Sequence, residues 1–183
     1  MGLIEDVVVI KGEKGLNIKE FVEKSQETMI YRTDDVKAHC LFAGILEEYA
    51  EVDHELDRLF HGETDDTSDL IGELGDFCFK VYNLGCHFGY IDFEYIGDDC
   101  FDFEIHVPIL AKVSKKTARD DNGKLVNPDR IANFKYVMDL LHTFIIDVCA
   151  DHNLNLSDVL SYNVEKLQSR LKRGVLSGEG SHR

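Results

Sequence analysis

The stretch LFAGILEEYAEVDHELDRLF, residues 41–60, combines a helical apolar pattern with a high density of acidic residues. Its apolar residues recur at steps of three, four and seven, which predicts a helix from Val36 to Phe60 with one buried face: Leu41, Ile45, Val52, Leu56 and Leu59. Glu48 falls on this face, and Glu51 lies on the same side one turn further on. Because an unpaired buried carboxylate is costly, we expect such acids either to face solvent or to bind a cation.

Helical periodicity also marks the sequence on both sides of this helix. We predict a first helix near residues 17–31, with Asn17 as its N-cap. A third helix is expected to start at Thr67 or Ser68 and to run to about Leu84. These two helices would flank the acid-rich one in the chain.

The rhythm breaks at residues 89–128, where aromatic or aliphatic residues alternate with acidic ones before a basic stretch and a turn-prone DNG. We predict a hairpin or an irregular insertion there. A helix resumes at Pro128, which suits a first helical turn, and Ser157 is expected to cap a last helix. The short run VVVI, residues 7–10, has the composition of a strand.

These elements predict one all-α domain over residues 1–183, a four-helix-type bundle. Its helical core spans about 17–88 and 129–170, with the insertion at 89–128 and a basic, Gly-rich tail at 171–183. The apolar fraction of 44% is enough to form a real core.

Charge and composition exclude several functional classes. The formal net charge of −15 would repel a nucleic-acid polymer. The five cysteines are scattered without a CxxC pair, which argues against a disulfide framework or a zinc knuckle. There is no run of 18 apolar residues and no signal-peptide pattern, so we expect no membrane association and a cytoplasmic location.

Two pairs of carboxylates share the spacing i, i+3, namely Glu48 with Glu51 and Glu73 with Asp76. The short connection at 61–66 makes their helices antiparallel neighbours, so the four carboxylates can converge. Packed closely without cations they would repel or take up protons. Hard oxygen ligands suit Mg²⁺, although 35 acidic residues in 183 make such spacings common by chance.

A second metal chemistry is also open. Glu51 and His54 form an ExxH, the spacing that di-iron carboxylate bundles use twice. The second copy would have to come from Asp139 and His142, where Asp replaces the usual Glu, so this alternative is weaker. The other acids near the first pair fit a solvent-exposed face: Glu47, Asp53, Glu55 and Asp57.

The C-terminal segment concentrates amide and cationic groups in an otherwise acidic chain. Asn163, Lys166 and Arg170 lie on one helix side, followed by Arg173 and a Gly-rich end. Such groups can neutralise phosphates while the carboxylates bind a metal.

These motifs together resemble a known family. LEEYAEV at 46–52, ELGDF at 73–77 and NVEKLQSRLKRGVLSGEGSHR at 163–183 are similar to blocks of the MazG-type, all-α nucleoside triphosphate pyrophosphohydrolases. The resemblance covers about 17–88 and 130–183, and it lies in the combination of blocks rather than in any single one. The insertion is the main departure, since compact members lack it.

The resemblance implies a function and a set of site residues. Mg²⁺, with Mn²⁺ as an alternative, would be bound by Glu48, Glu51, Glu73 and Asp76. The resemblance also implies that the substrate is contacted by Asn163, Lys166, Arg170 and Arg173. Independently of the resemblance, the position of Glu47 beside Glu48 would let it assist as a base. The family reaction is attack of a metal-activated water on a nucleoside triphosphate, which yields the monophosphate and pyrophosphate. Members usually form homodimers or pairs of dimers. The alternative from another class is a nucleotide-sensing or scaffolding bundle without catalysis.

Overall fold

The computed structural model describes residues 15–31, 33–97 and 99–175, and within these ranges the chain is all-helical. Its helices are α1 (Ile18–Ser25), α2 (Asp34–Phe60), α3 (Ser68–His87), α4 (Phe103–Asp120), α5 (Pro128–Asp151) and α6 (Leu156–Lys172). The predicted all-α class is therefore confirmed. The strand-like run 7–10 and the tail beyond residue 175 lie outside the described residues.

Helices α2 and α3 form the most extensive packing pair, and they run antiparallel. Arg58 near the end of α2 contacts Asp69 at the start of α3 at 3.4 Å, whereas Glu48 in mid-α2 lies 3.5 Å from Lys80, further along α3. The predicted apolar face of α2 is buried at Leu41, Ile45 and Val52. This pairing sets the acidic residues of the two helices opposite one another.

The other helices complete the core around α3. Helix α6 packs along α3 closely enough that a Cβ at Gly75 would lie 3.0 Å from the Cβ of Asn163. Helix α1 covers α3 and α6, while α5 lies between α4 and α3. Pro128 occupies the first turn of α5, as predicted, and Asn127 caps this helix.

The first helix is shorter than predicted. Asn17 forms the expected capping box with Glu20, but α1 ends at Ser25 and a 3₁₀ turn follows at Gln26–Thr28. The hydroxyl of Ser25 donates to the carbonyl of Val22, and that of Thr28 donates to the carbonyl of Ser25. Such local bonds compete with helical ones and favour termination. Beyond Thr28 the prediction of a helix to residue 31 was therefore wrong.

The prediction of a hairpin or irregular insertion at 89–128 was wrong for its largest part, because α4 is a regular helix of 18 residues. Its buried residues follow steps of four, three and four, which is a helical period: His106, Leu110, Val113 and Thr117. The alternating pattern before it and Pro108 within it concealed that period. The DNG turn is present, with φ of 51° at Asn122 and 79° at Gly123.

Two helix ends also differ from the predictions. Helix α3 continues past Leu84 to His87, since Gly85 lies buried within it instead of ending it. Helix α6 is capped by Asn155 rather than Ser157, because the Asn155 side chain accepts a hydrogen bond from the Ser157 amide at 2.9 Å.

Residues 88–97, which we call the strap, carry no helix or strand and lie against α5. Asp139 of α5 accepts hydrogen bonds from the Tyr90 hydroxyl at 2.5 Å and from the Glu94 amide at 2.9 Å. One turn on, Thr143 accepts from the Ile96 amide at 3.0 Å. Side chains of α5 thus satisfy backbone groups that have no regular secondary structure of their own.

Two glycines of α3 give a matched test of this packing. A Cβ at Gly85 would lie 2.6 Å from both the Phe93 ring and the Tyr90 carbonyl oxygen, whereas one at Gly72 would meet nothing within 4 Å. We expect Gly85→Ala to lose about 1–3 kcal/mol of unfolding free energy by overpacking the strap. Gly72→Ala should gain about 0.5–1 kcal/mol because alanine favours helix. Urea denaturation measures both, and equal effects would contradict this packing.

Candidate metal centre

Three of the four predicted metal ligands come together between α2 and α3. Glu48, Glu73 and Asp76 each offer a carboxylate oxygen, and these oxygens lie within 4.8 Å of one another. Glu73 and Asp76 project from adjacent turns of α3, and Glu48 faces them from α2. Glu48 is only 8% exposed, which agrees with its place on the buried face of α2.

Glu51 and Glu47 lie at the edge of this group. Both are exposed and both line the same cavity as the three clustered carboxylates. Glu51 raises the pKa of Glu73 on the neighbouring helix, so it remains part of the same electrostatic group. Glu47 raises the pKa of Glu48 less than Glu51 does.

Helix α6 fixes the position of Asp76. The amide nitrogen of Asn163 donates to one carboxylate oxygen of Asp76 at 2.6 Å, and the Lys166 ammonium donates to the other at 2.6 Å. Lys166 also donates to the carbonyl of Gly72 at 3.2 Å. Asn163 is fully buried. Both residues were predicted to contact a substrate, and in the structure they contact a predicted metal ligand.

Lys80 is a cation of the cluster that the sequence analysis missed. Its ammonium lies 3.5 Å from Glu48, and its side chain is only 21% exposed. Burial lowers the pKa of this ammonium, but Glu48 and then Tyr31 raise it by more, so the net shift is upward. The available signal was its spacing, four residues after Asp76 in the otherwise apolar run FCFKVYNL.

The carboxylates open into a cavity of about 510 Å³, a size typical of small-molecule sites. Its lining includes charged residues, namely the acids, Lys80 and Arg170. It also includes apolar and aromatic residues: Met29, Ile30, Tyr31, Phe79 and Leu167. Arg173 lies outside this lining, in the turn after α6, where its Nε donates to the Ser169 carbonyl at 3.4 Å.

The crowding of acids changes their protonation. Burial first, and Asp76 next, raise the pKa of Glu48 from its ordinary value of 4.5 to about 8. Burial and the neighbouring Glu51 and Asp76 raise the pKa of Glu73 to about 7. Glu48 and Glu73 thus retain their protons near neutrality unless a bound cation displaces those protons.

This donor set fits a hard divalent cation. Carboxylate oxygens are the ligands that Mg²⁺ and Mn²⁺ prefer, and Mg²⁺ commonly takes few protein ligands and completes its shell with water and phosphate. Three converging carboxylates, of which Glu48 and Glu73 have raised pKa values, are also the arrangement whose repulsion a cation relieves. Glu48, Glu73 and Asp76 would hold such an ion, with Glu51 beside them.

The residues of the di-iron alternative serve other contacts. Asp139 accepts hydrogen bonds from the strap, and the Nδ1 atom of His142 lies 3.0 Å from the Tyr82 hydroxyl. Within the described part of the chain, three or more ligand residues cluster only in the carboxylate group above, which contains no histidine.

Comparisons of the chain with known protein families, with curated proteins and with solved structures found no match. In the ranges that the structure describes, no helix has the length and apolar character needed to cross a membrane.

The raised pKa values predict how the metal-free protein responds to pH. Glu48 and Glu73 bind their protons more tightly in the folded protein than in the unfolded chain, so proton binding stabilises the fold. This stabilisation is complete below pH 4.5 and is lost as pH rises through about 7 to 8. The melting temperature without metal should therefore fall from about pH 5 to about pH 8. Mg²⁺ should raise it more at the higher pH, where fewer protons compete for the carboxylates.

Calorimetry in chelator and in Mg²⁺ measures these shifts. Glu48→Gln should flatten the pH dependence, while Glu23→Gln on α1 serves as the control that leaves it unchanged. A Mg²⁺ effect that is the same at both pH values would contradict the proton–metal exchange.

Proposed function

We propose that this chain is a Mg²⁺-dependent nucleoside triphosphate pyrophosphohydrolase of the MazG type, which releases a nucleoside monophosphate and pyrophosphate. One observation carries the proposal: Glu48, Glu73 and Asp76 converge in a cavity that Arg170 also lines. Oxygen ligands for a metal and a cation for phosphates are the two features that phosphate-chain hydrolysis requires.

The residues around the carboxylate cluster would have different roles in the reaction. A bound divalent ion would lower the pKa of a coordinated water below its value in bulk and neutralise charge on the phosphates. Lys166 and Asn163 orient the carboxylate of Asp76 by occupying both its oxygens from α6. Arg170, which lines the cavity, would bind a phosphate oxygen. Glu47 and Glu51, which are exposed on the cavity wall, are the candidates for accepting the proton of the attacking water.

The apolar part of the cavity lining supports a nucleotide over a simple polyphosphate. Tyr31 and Phe79 provide aromatic surface and Met29 and Leu167 provide aliphatic surface in the same cavity as the charged residues. A flat base packs favourably against such side chains. The mixed lining thus suits a molecule that carries both phosphates and a flat, weakly polar base.

We also propose that the protein acts as a homodimer in the cytoplasm. The support for the homodimer is the family resemblance. Exposed apolar side chains, among them Phe60 at the end of α2, which is 85% exposed, are available for such a contact.

Incubation with each NTP and dNTP plus Mg²⁺ tests the activity, with monophosphate and pyrophosphate as the products. We expect Glu48→Gln and Asp76→Asn each to lower turnover about 100-fold or more, because each removes a metal ligand while keeping the side-chain volume. Glu104→Gln, on the exposed side of α4, is the matched control and should retain full activity.

The other outcomes point to the alternatives. Protein that binds nucleotide but turns over none of the panel would indicate the sensing or scaffolding function. Copurifying iron would indicate the di-iron chemistry. Full activity in both ligand variants would show that the site is elsewhere.

A further inference from the structure

The residues that face each other across α2 and α3 form three successive levels. Glu51 faces Glu73 at the first level and Glu48 faces Asp76 at the second. At the third level Gly44, one turn before Glu48, faces Lys80, one turn after Asp76. The acidic levels are therefore closed at one end by a cation instead of a third pair of acids.

Gly44 is what allows Lys80 to lie there. A Cβ at Gly44 would come within 2.7 Å of both Cδ and Cε of Lys80 and within 3.1 Å of its ammonium. The lysine stem thus packs across the bare backbone of α2, and its ammonium reaches the Glu48 carboxylate at 3.5 Å. An ordinary side chain at position 44 would displace it.

The position of the Lys80 ammonium affects how many divalent ions the carboxylates can bind. Two-metal sites in phosphoryl-transfer enzymes hold their ions about 3.5–4 Å apart, bridged by shared carboxylates. The ammonium of Lys80 lies 3.5 Å from the Glu48 carboxylate. A second divalent ion bound by Glu48 would therefore have to share that carboxylate with an ammonium that is already in contact with it.

The charge of the cluster agrees with a single ion. The four fully ionised carboxylates of the first two levels carry four negative charges, and Lys80 and Lys166, in contact with Glu48 and Asp76, supply two positive ones. One divalent cation completes neutrality, and a second would add an excess of two charges in a half-buried site.

We propose that Lys80 is a built-in cation that takes the place of a second divalent ion, so that this site binds one divalent ion instead of two. The inference depends on the proposed function only because both require the metal centre. Lys80 is a positioning residue for Glu48, and the absence of a side chain at Gly44 leaves room for the Lys80 stem.

Titration with Mn²⁺ alone, followed by the electron paramagnetic resonance signal of the free ion at about pH 8.5, counts bound ions without any turnover. We expect one Mn²⁺ per chain in the wild type. Lys80→Met removes the charge and keeps the length of the side chain, and it should admit a second Mn²⁺ at least about tenfold more tightly than the wild type does.

Gly44→Ala provides an independent route to the same state, because its methyl group displaces the Lys80 stem without changing any charged residue. It should also admit a second Mn²⁺, and it does not depend on the folding of the lysine variant. Lys112→Met, on an exposed turn of α4, is the control and should bind one ion.

Two bound ions in the wild type, or one in both Lys80→Met and Gly44→Ala, would overturn the proposal while leaving the pyrophosphohydrolase activity intact. Loss of turnover with one ion bound would instead overturn the proposed function alone. No Mn²⁺ binding by any of the proteins would overturn both.

Discussion

Repulsion among carboxylates in the narrow space between α2 and α3 is the constraint around which the rest of the molecule is arranged. Glu48 is nearly buried and Glu73 and Asp76 face it within a few ångströms. Such a group is unfavourable by itself, and it persists only where surrounding structure holds it. Here the support comes from two directions: Lys80 from α3 itself, and Asn163 with Lys166 from α6.

This arrangement explains why α6 has to lie where it does. The close approach at Gly75 lets Asn163 reach the Asp76 carboxylate from a fully buried position, and Lys166 follows one turn later. The packing of α6 against α3 therefore also orients the carboxylate of Asp76. A change that loosens the α3–α6 contact would first displace the carboxylates, because their mutual repulsion opposes the fold.

Much of this site was predictable from the sequence because it depends on spacing within single helices. The break in the apolar face at Glu48, and the i, i+3 pairs on α2 and α3, are local patterns that the fold preserves. The pairing of Lys80 with Gly44 could not be predicted because the two residues lie on different helices and are far apart in the sequence. Nothing in the sequence indicates that the missing side chain at Gly44 leaves room for Lys80.

The errors have a similar physical origin. Helix α4 was missed because the alternation of aromatic and acidic residues in the strap runs on to its first turn. In the strap, Phe88, Tyr90 and Phe93 pack against the core, whereas Tyr95 is exposed and the amides of Glu94 and Ile96 bond to α5. The alternation in sequence therefore does not correspond to alternating burial or to a sheet.

The dependence of the strap on α5 has a consequence for how the molecule opens. Its amides at Glu94 and Ile96 bond to side chains of α5, whereas the bonds of α5 are made within its own helix. The strap can therefore detach while α5 stays intact, but α5 cannot rotate about its axis without releasing the strap. Slow amide exchange along α5 and faster exchange at those two strap positions would be the signature of this one-way dependence, with the strap as a separate, less protected unit of unfolding.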